Sequence, residues 1–120
     1  MQPDSKSPAI VILNDAAMRV AETIRDATGG TIHGAAKRVS ASQDVVLFDE
    51  AKSNMQALFR NGTPIVAVMA SGAVIRILAP LLADKQEEPP VIAVAEDGKA
   101  VVPLLGGHHG ANAIARGIAG

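Results

Sequence analysis

The segment "PIVAVMASGAVIRILAPLLA" (residues 64–83) contains the strongest indications of the fold of this chain. Residues 64–70 are apolar without the alternation of a half-exposed strand, which is typical of a central strand covered on both faces. Ser71 then provides a helix cap, and the apolar run that follows predicts a helix buried almost all round. Pro80 lies inside this run and predicts a kink or a break. A central strand followed by a buried helix is a unit of a layered α/β domain.

Similar units lie on either side of this stretch. Short apolar runs predict strands at 9–14, 31–34, 91–96 and 99–105, and helices are predicted at 16–27 (with Asp15 as cap), at 50–60 and from about Gly110. Residues 45–48 fit either an edge strand or the lead-in to a helix. Asp97-Gly98 between two apolar runs predicts a β-hairpin. The expected fold is an α/β layered sandwich: a mixed sheet of about five strands with helices on both faces, ending in a hairpin and a short helix.

Composition limits the classes of function. The 120 residues, of which 48% are hydrophobic, suit one domain over residues 9–120 after a disordered lead at 1–8. A net charge of −1 and 2% aromatic residues argue against nucleic-acid binding. The absence of cysteine excludes disulfides and thiolate chemistry. With no apolar stretch of membrane-spanning length and no signal peptide, we expect a soluble cytoplasmic protein with no membrane partner.

The first candidate site is the strand-to-helix turn at Ser71-Gly72. The free N–H groups and positive dipole end of a helix N-terminus suit an anion. Gly72 allows a ligand close to the backbone, and Arg76 could complete a carboxylate clamp. The alternative is an ordinary capped helix with an arginine along its edge. The full phosphate-binding loop pattern is absent.

The second candidate site is "GGHHGAN" (residues 106–112). Its glycines can adopt positive φ and form an anion nest, either histidine could act as general base, and the amide could orient a substrate carbonyl or a water. The glycines are Gly106, Gly107 and Gly110, the histidines are His108 and His109, and the amide is that of Asn112. A glycine-rich turn with surface histidines is the alternative. No metal site is expected, because adjacent side chains in extended chain point to opposite faces. His33, a lone histidine beside a glycine, is expected to be structural.

The predicted hairpin affects both candidates. The strand at 99–105 would run against the strand at 91–96, whereas the strand before Ser71 would run parallel to it. The two glycine motifs would then lie at opposite edges of the sheet. One pocket using both would need another subunit, a partner domain or a different strand arrangement.

Two tracts carry a family resemblance: "ASGAVIRILAPLLADK" (70–85) and "VVPLLGGHHGANAIA" (101–115). Within residues 62–119 the chain resembles the N-terminal region of the CbiG family, the cobalt-precorrin-5A hydrolases of cobalamin biosynthesis. The front half, "AIVILN…IHGAAKRV…LFRNG", also resembles this domain where it is fused ahead of a precorrin-3B methyltransferase acting at ring carbon 17.

The resemblance implies a domain that binds a carboxylated tetrapyrrole, a precorrin or cobalt-precorrin. The family's hydrolase opens a lactone on the ring and releases acetaldehyde. His108 or His109 would then activate water, and Arg76 would anchor a ring carboxylate. The alternative is a non-catalytic accessory domain of the ring methyltransferase. The family has further domains, so we expect a fragment of a longer multidomain chain, partnered by a downstream domain or another pathway enzyme. The resemblance leaves open whether this chain turns its ligand over. No cofactor is expected within it; S-adenosylmethionine would enter only with a following methyltransferase.

Overall fold

Six strands form one mixed sheet in the computed structural model, which describes residues 7–40, 44–82, 88–106 and 110–119. The order across the sheet is β3-β2-β1-β4-β5-β6, with β1 to β5 parallel and β6 antiparallel to β5. The strands are β1 (Ala9–Ile12), β2 (Thr31–Ala35), β3 (Val45–Phe48), β4 (Ile65–Val68), β5 (Val91–Val94) and β6 (Val101–Leu105). The sheet therefore has six strands where about five were expected, because the ambiguous residues 45–48 form its edge strand.

Within the described residues, four α-helices cover both faces of the sheet, as predicted. They are α1 (Met18–Thr28), α2 (Ala51–Arg60), α3 (Ser71–Leu78) and α4 (Ala111–Ala119). One buried cluster joins residues of α1 and α4 to one face, and a second joins residues of α2 and α3 to the other. Of the helices that the structure describes, none has the length and apolar character needed to cross a bilayer.

Burial explains which runs became central strands. Every residue of β1, β4 and β5 is buried, which fits their unbroken apolar sequences. The edge strands β3 and β6 keep exposed apolar side chains, Val46 and Leu47 on one and Val102 on the other. The hairpin between β5 and β6 is confirmed, with Gly98 at φ 76° in its turn. Its loop is longer than the Asp-Gly pair alone, since Ala95 N–H donates to the carbonyl of Ala100.

Two predicted helix caps are wrong. Ser71 is the first residue of α3 rather than its cap: Ala70 holds the N-cap position with an extended backbone. Asp15 begins a short 3₁₀ turn (Asp15–Ala17) ahead of α1, and its carboxylate accepts hydrogen bonds from Ser40 instead of capping the helix. The loops after β1 and β2 contact each other, and this contact engages the carboxylate that the sequence pattern predicted as the helix cap.

The helix after β4 also differs from its prediction in length and burial. Pro80 ends it as predicted: α3 stops at Leu78 and continues as a 3₁₀ turn over Ala79–Leu81. The expectation of burial almost all round is wrong, because only Val74 and Leu78 are buried and Ile75 is 50% exposed. One face of the helix suffices to cover the sheet at this point.

The antiparallel β6 fixes where the two glycine motifs lie. We call the ends at which β1 to β5 finish the carboxyl edge, and the opposite ends the amino edge. α3 begins at the carboxyl edge, after β4. β6 runs the other way, so that its last residue, Leu105, pairs with Val91, the first residue of β5. Gly106 therefore lies at the amino edge, and the expected separation of the motifs is confirmed.

Candidate functional site

The sheet order predicts a crevice at the carboxyl edge between β1 and β4. These strands are hydrogen-bonded neighbours, yet the chain continues from β1 to β2 on one side and from β4 to β5 on the other. Where the strand order reverses in this way, the connecting loops diverge and leave a crevice in which α/β proteins bind ligands. Here the crevice lies between the residues that follow β1 (Leu13 and Asn14) and those that follow β4 (Met69 to Gly72). We call it the carboxyl-edge crevice.

The N-terminus of α3 forms the β4 side of this crevice. The N–H groups of Ala73 and Val74 donate to the carbonyl of Ala70, at 3.0 and 3.3 Å. Ser71 and Gly72 come before these first helical donors, so their own N–H groups have no acceptor within the helix. A Cβ atom on Gly72 would meet nothing within 4 Å. The first turn of α3 therefore presents donors and an open approach, as an anion site requires.

Asn14 forms the β1 side, and sequence reasoning missed it. Its Oδ1 atom is buried and has no hydrogen-bond partner. Although Asn14 holds the N-cap position of the 3₁₀ turn, its side chain makes no capping bond. The available signal was its place: a polar residue two positions after a wholly buried strand, at the end of the sheet where α/β proteins bind ligands.

Asp15 and Ser40 fasten the loop after β1 to the loop after β2. Ser40 donates twice to the Asp15 carboxylate, from its backbone N–H at 3.0 Å and from its hydroxyl at 2.8 Å. These bonds, the backbone one foremost, lower the pKa of Asp15 below its ordinary value of 3.8. The second loop also accepts at Arg38, whose carbonyl receives the Asp15 N–H at 3.1 Å. These three hydrogen bonds hold the loop after β1 against the loop after β2.

Arg76 lies one turn into α3, four residues after Gly72 and on the same side of the helix. It is in the last turn of α3, beside Ile75 on the exposed face. Close to a helix C-terminus, an arginine interacts favourably with the carbonyl end of the dipole. This spacing is compatible with a side chain that reaches back towards the first turn, and the part of Arg76 in a carboxylate clamp stays a prediction.

The second candidate lies at the amino edge. Gly106 and Gly110 both have positive φ, 71° and 104°, as the glycine motif predicts. Ala111 N–H donates to the Gly106 carbonyl at 3.3 Å, which closes the turn into α4, and Asn112 is exposed in the first turn of that helix. Gly107, His108 and His109 lie outside the described residues. The structure thus brings Gly106, Gly110 and Asn112 together and separates them from Ser71 and Gly72 by the length of the strands.

His33 is the half-buried histidine of β2, and its side chain meets Asn54 on α2. Burial lowers the pKa of His33 below 6.5, and the hydrogen bond to Asn54 opposes this in part. Its Nδ1 atom and the Nδ2 atom of Asn54 are buried without partners. In the part of the chain that the structure describes, no three His, Cys, Asp or Glu side chains gather as a metal site would need.

Comparison with known proteins identifies the family. A family model described as Cobalamin synthesis G N-terminal matches residues 53–120, which is more than half of the chain. Two similar curated proteins are both named cobalt-precorrin-5A hydrolase: one from Salmonella typhimurium, 43% identical over 63 residues, and one from Priestia megaterium, 35% identical over 66 residues. The matches cover 52% and 54% of this chain and 18% of each relative, so the chain matches about a fifth of their length.

A solved structure shows the same fold over almost the whole chain. It is the crystal structure of a cobalamin biosynthesis protein G homolog from Sulfolobus solfataricus, with a TM-score of 0.66 and 24% sequence identity. The similarity covers 96% of this chain and 34% of that one, so it includes the front half that the family model does not match. On the family match, this chain belongs to the Cobalamin synthesis G N-terminal family.

Proposed function

We propose that this domain binds a carboxylated tetrapyrrole intermediate of cobalamin biosynthesis, with the carboxyl-edge crevice as its binding site. The observation that carries the proposal is the open first turn of α3, at the strand-order reversal, in a chain whose family and relatives belong to this pathway. Acetate and propionate arms are the anions that such a helix start would accept.

Each side of the crevice has a distinct part in this proposal. The N–H groups of Ser71 and Gly72 bind one carboxylate of the ligand, and the absence of a Cβ at Gly72 lets the carboxylate reach the backbone. The orphaned polar atom of Asn14 supports a hydrogen-bonding ligand group on the β1 side. Asp15 is already bonded to Ser40, so it holds the loop rather than the ligand.

Catalysis is a separate part of the proposal. The relatives are named hydrolases, and the match to this chain covers 18% of the length of each. Lactone hydrolysis is therefore proposed for a longer protein that includes this domain. There, His108 or His109 would act as the general base, with the N–H groups of the turn from Gly106 to Gly110 holding the oxyanion. Since that turn lies at the amino edge, a substrate in the carboxyl-edge crevice of the same subunit would be out of its reach. The domain would then bind one tetrapyrrole molecule in its carboxyl-edge crevice and supply the histidines to a second tetrapyrrole molecule at its amino edge.

Chemical-shift mapping tests the binding site. A ¹⁵N-labelled chain is titrated with cobyrinic acid, a corrin with free carboxylate arms, and with its fully amidated analogue as the neutral control. We expect saturable shifts at Asn14, Ser71 and Gly72 with the acid only. Gly72→Val should weaken binding, whereas Asn112→Ala, at the opposite edge, should leave it unchanged. Shifts confined to residues 106–112 would place the ligand at the amino edge and refute the carboxyl-edge site.

An acetaldehyde assay tests the histidines. In the full-length protein supplied with the cobalt-precorrin lactone, replacing the general base should lower the rate by about 10²–10⁴-fold. His108→Ala and His109→Ala are compared singly and together. If acetaldehyde release survives the double substitution, the catalytic assignment is wrong. The alternative, an accessory domain of a ring methyltransferase, predicts tetrapyrrole binding with no acetaldehyde release and a methylation rate that depends on this domain.

A further inference from the structure

The loop after β2 carries two adjacent cations at the carboxyl edge. Lys37 and Arg38 lie in the turn that follows Ala35, and both are exposed. Backbone bonds close this turn, because the N–H groups of Arg38 and Val39 both donate to the Ala35 carbonyl, at 3.0 and 2.9 Å. The proposed function assigns neither cation. Their charge and their place at this edge suit a ligand that carries several carboxylates.

The two cations have no acidic partner among the described residues. The side chains of Lys37 and Arg38 make no ion pair in that part of the chain. Asp15, the acid of the adjoining loop, is occupied by its two bonds from Ser40. Asp49 directly follows β3, on the far side of β2 from the crevice. A cation without an acidic partner can bind a ligand carboxylate in charge-assisted hydrogen bonds.

Hydrogen bonds hold the loop after β2 beside the carboxyl-edge crevice. The Asp15 N–H donates to the Arg38 carbonyl, and Ser40 donates twice to the Asp15 carboxylate. Val39, between the two bonded residues of this loop, is buried and anchors the loop in the core. Asp15 directly follows Asn14, which forms the β1 side of the crevice. The backbone that carries the two cations is therefore held in place next to that side.

The cations and the start of α3 lie on opposite sides of the crevice. In the sheet, β1 lies between β2 and β4. Neighbouring strands are about 4.8 Å apart, so the ends of β2 and β4 are separated by about 10 Å. A macrocycle with carboxylate arms around its rim can present separate arms to the two sides at once.

We propose that Lys37 and Arg38 form a second carboxylate subsite for the tetrapyrrole, across the crevice from the helix start at Ser71 and Gly72. This inference rests on the proposed function and extends it: the helix start binds one arm of the ligand, and the cations of the loop after β2 bind another. The site then selects ligands with several free carboxylates over ligands with one. The bonds between the loops after β1 and β2 hold this second subsite in place.

Two corrins separate the two subsites. Cobyrinic acid has all its carboxylate arms free, whereas cobyric acid, its hexaamide, has a single free carboxylate. Both are titrated into the chain by isothermal titration calorimetry at several concentrations of NaCl. Cobyrinic acid should bind about ten-fold more tightly at low salt, because it engages both subsites. Its affinity should also fall more steeply with salt, because more ionic contacts are screened.

Lys37→Gln combined with Arg38→Gln removes the second subsite. We expect this double variant to bind cobyrinic acid about ten-fold more weakly, with a flatter salt dependence, and to bind cobyric acid with unchanged affinity. The matched control is Arg25→Gln combined with Arg60→Gln, which removes the same charge from the last turns of α1 and α2, at the amino edge. This control should leave the affinity for both corrins unchanged.

Unchanged binding of cobyrinic acid by the double variant would overturn the inference, and so would an equal loss of affinity for cobyric acid. If affinity is unchanged while cobyrinic acid still shifts Asn14, Ser71 and Gly72, only the second subsite is refuted. If cobyrinic acid gives no saturable shift at those three residues, the proposed function fails and this inference fails with it. Should the double variant not fold, the unmodified chain decides: equal salt dependence for the two corrins would overturn the inference.

Discussion

A Cβ atom on Gly106 would lie 2.5 Å from the carbonyl oxygen of Pro89, so the end of β6 packs directly onto the backbone that leads into β5. Gly106 also has a φ of 71°, a conformation that costs other residues about 1–2 kcal/mol. We therefore expect Gly106→Ala to lower the free energy of unfolding by about 2–4 kcal/mol, from strain and overpacking together. Urea denaturation of the two proteins measures this change in the free energy of unfolding.

Gly117→Ala in α4 is the matched control for that substitution. A Cβ there meets nothing within 4 Å and the residue is helical, so alanine should raise the free energy of unfolding by about 0.5–1 kcal/mol. Equal effects of the two substitutions would contradict the close packing of Gly106 on Pro89.

Gly72→Ala separates stability from binding. Gly72 lies within α3 with open space around it, so alanine should stabilise the helix by up to about 1 kcal/mol. The new methyl group would nevertheless occupy the approach to the first turn and should weaken cobyrinic acid binding. Thermal denaturation and the titration give the two readouts. Unchanged affinity in the stabilised variant would show that no ligand approaches this turn.

Gly34 and Val39 form a tight contact under the loop after β2. A Cβ on Gly34 would lie 2.7 Å from Cγ1 of Val39, which is almost wholly buried. Gly34→Ala should cost about 1–3 kcal/mol through overpacking, and Val39→Ala should remove part of that cost by making room. A double-mutant cycle in urea should therefore show a coupling of about 1 kcal/mol or more. Additive effects would mean that the strand shifts to relieve the contact instead.

The Asp15–Ser40 pair predicts a pH dependence at acid pH. Because the folded-state pKa of Asp15 is lowered, its bonds to Ser40 contribute stability above pH 3.8 that is lost as the pH falls through the folded-state pKa. An NMR titration of the Asp15 carboxyl measures this pKa directly. Ser40→Ala keeps the backbone donor and removes the hydroxyl, so the pKa should rise only part of the way to 3.8. A full return would show that the backbone bond contributes nothing.

His33 predicts a second pH dependence, nearer neutrality. Its folded-state pKa is lowered, so both states are neutral above pH 6.5, and below it the unfolded chain binds the proton more readily. Stability should therefore fall as the pH decreases from 6.5 to the folded-state pKa of His33, and level off below. His33→Gln should remove this part of the pH profile. A profile unchanged by the substitution would rule out His33 as its source.

Much of this fold follows from local sequence. The unbroken apolar runs of β1, β4 and β5 can be buried only between layers, and Pro80 cannot continue a helix. The turn at Gly98 reverses the chain, and this reversal alone sends the second glycine motif to the amino edge. Residues 45–48 stayed ambiguous, because four apolar residues carry no period by which a strand and a helix differ.

The sites were less predictable, because they depend on residues far apart in the chain. Asn14 matters because β4 lies beside β1, and the capping ability of Asp15 was lost to Ser40, 25 positions away. The buried, unpartnered atoms of His33 and Asn54 arise where α2 packs against β2. The members of each pair lie far apart in the sequence, so no local sequence pattern predicts their contact.

Local sequence accounts for most of the helices and strands, for the hairpin and for the family, since apolar periodicity, Pro and Gly chemistry and motif identity are local properties of the chain. Which polar groups are satisfied and which remain unpaired depends on the folded arrangement of the whole chain. Hydrogen bonding of loops and the burial of side chains depend on which strands become neighbours, and this sheet, ordered β3-β2-β1-β4-β5-β6, brings together residues that are distant in sequence.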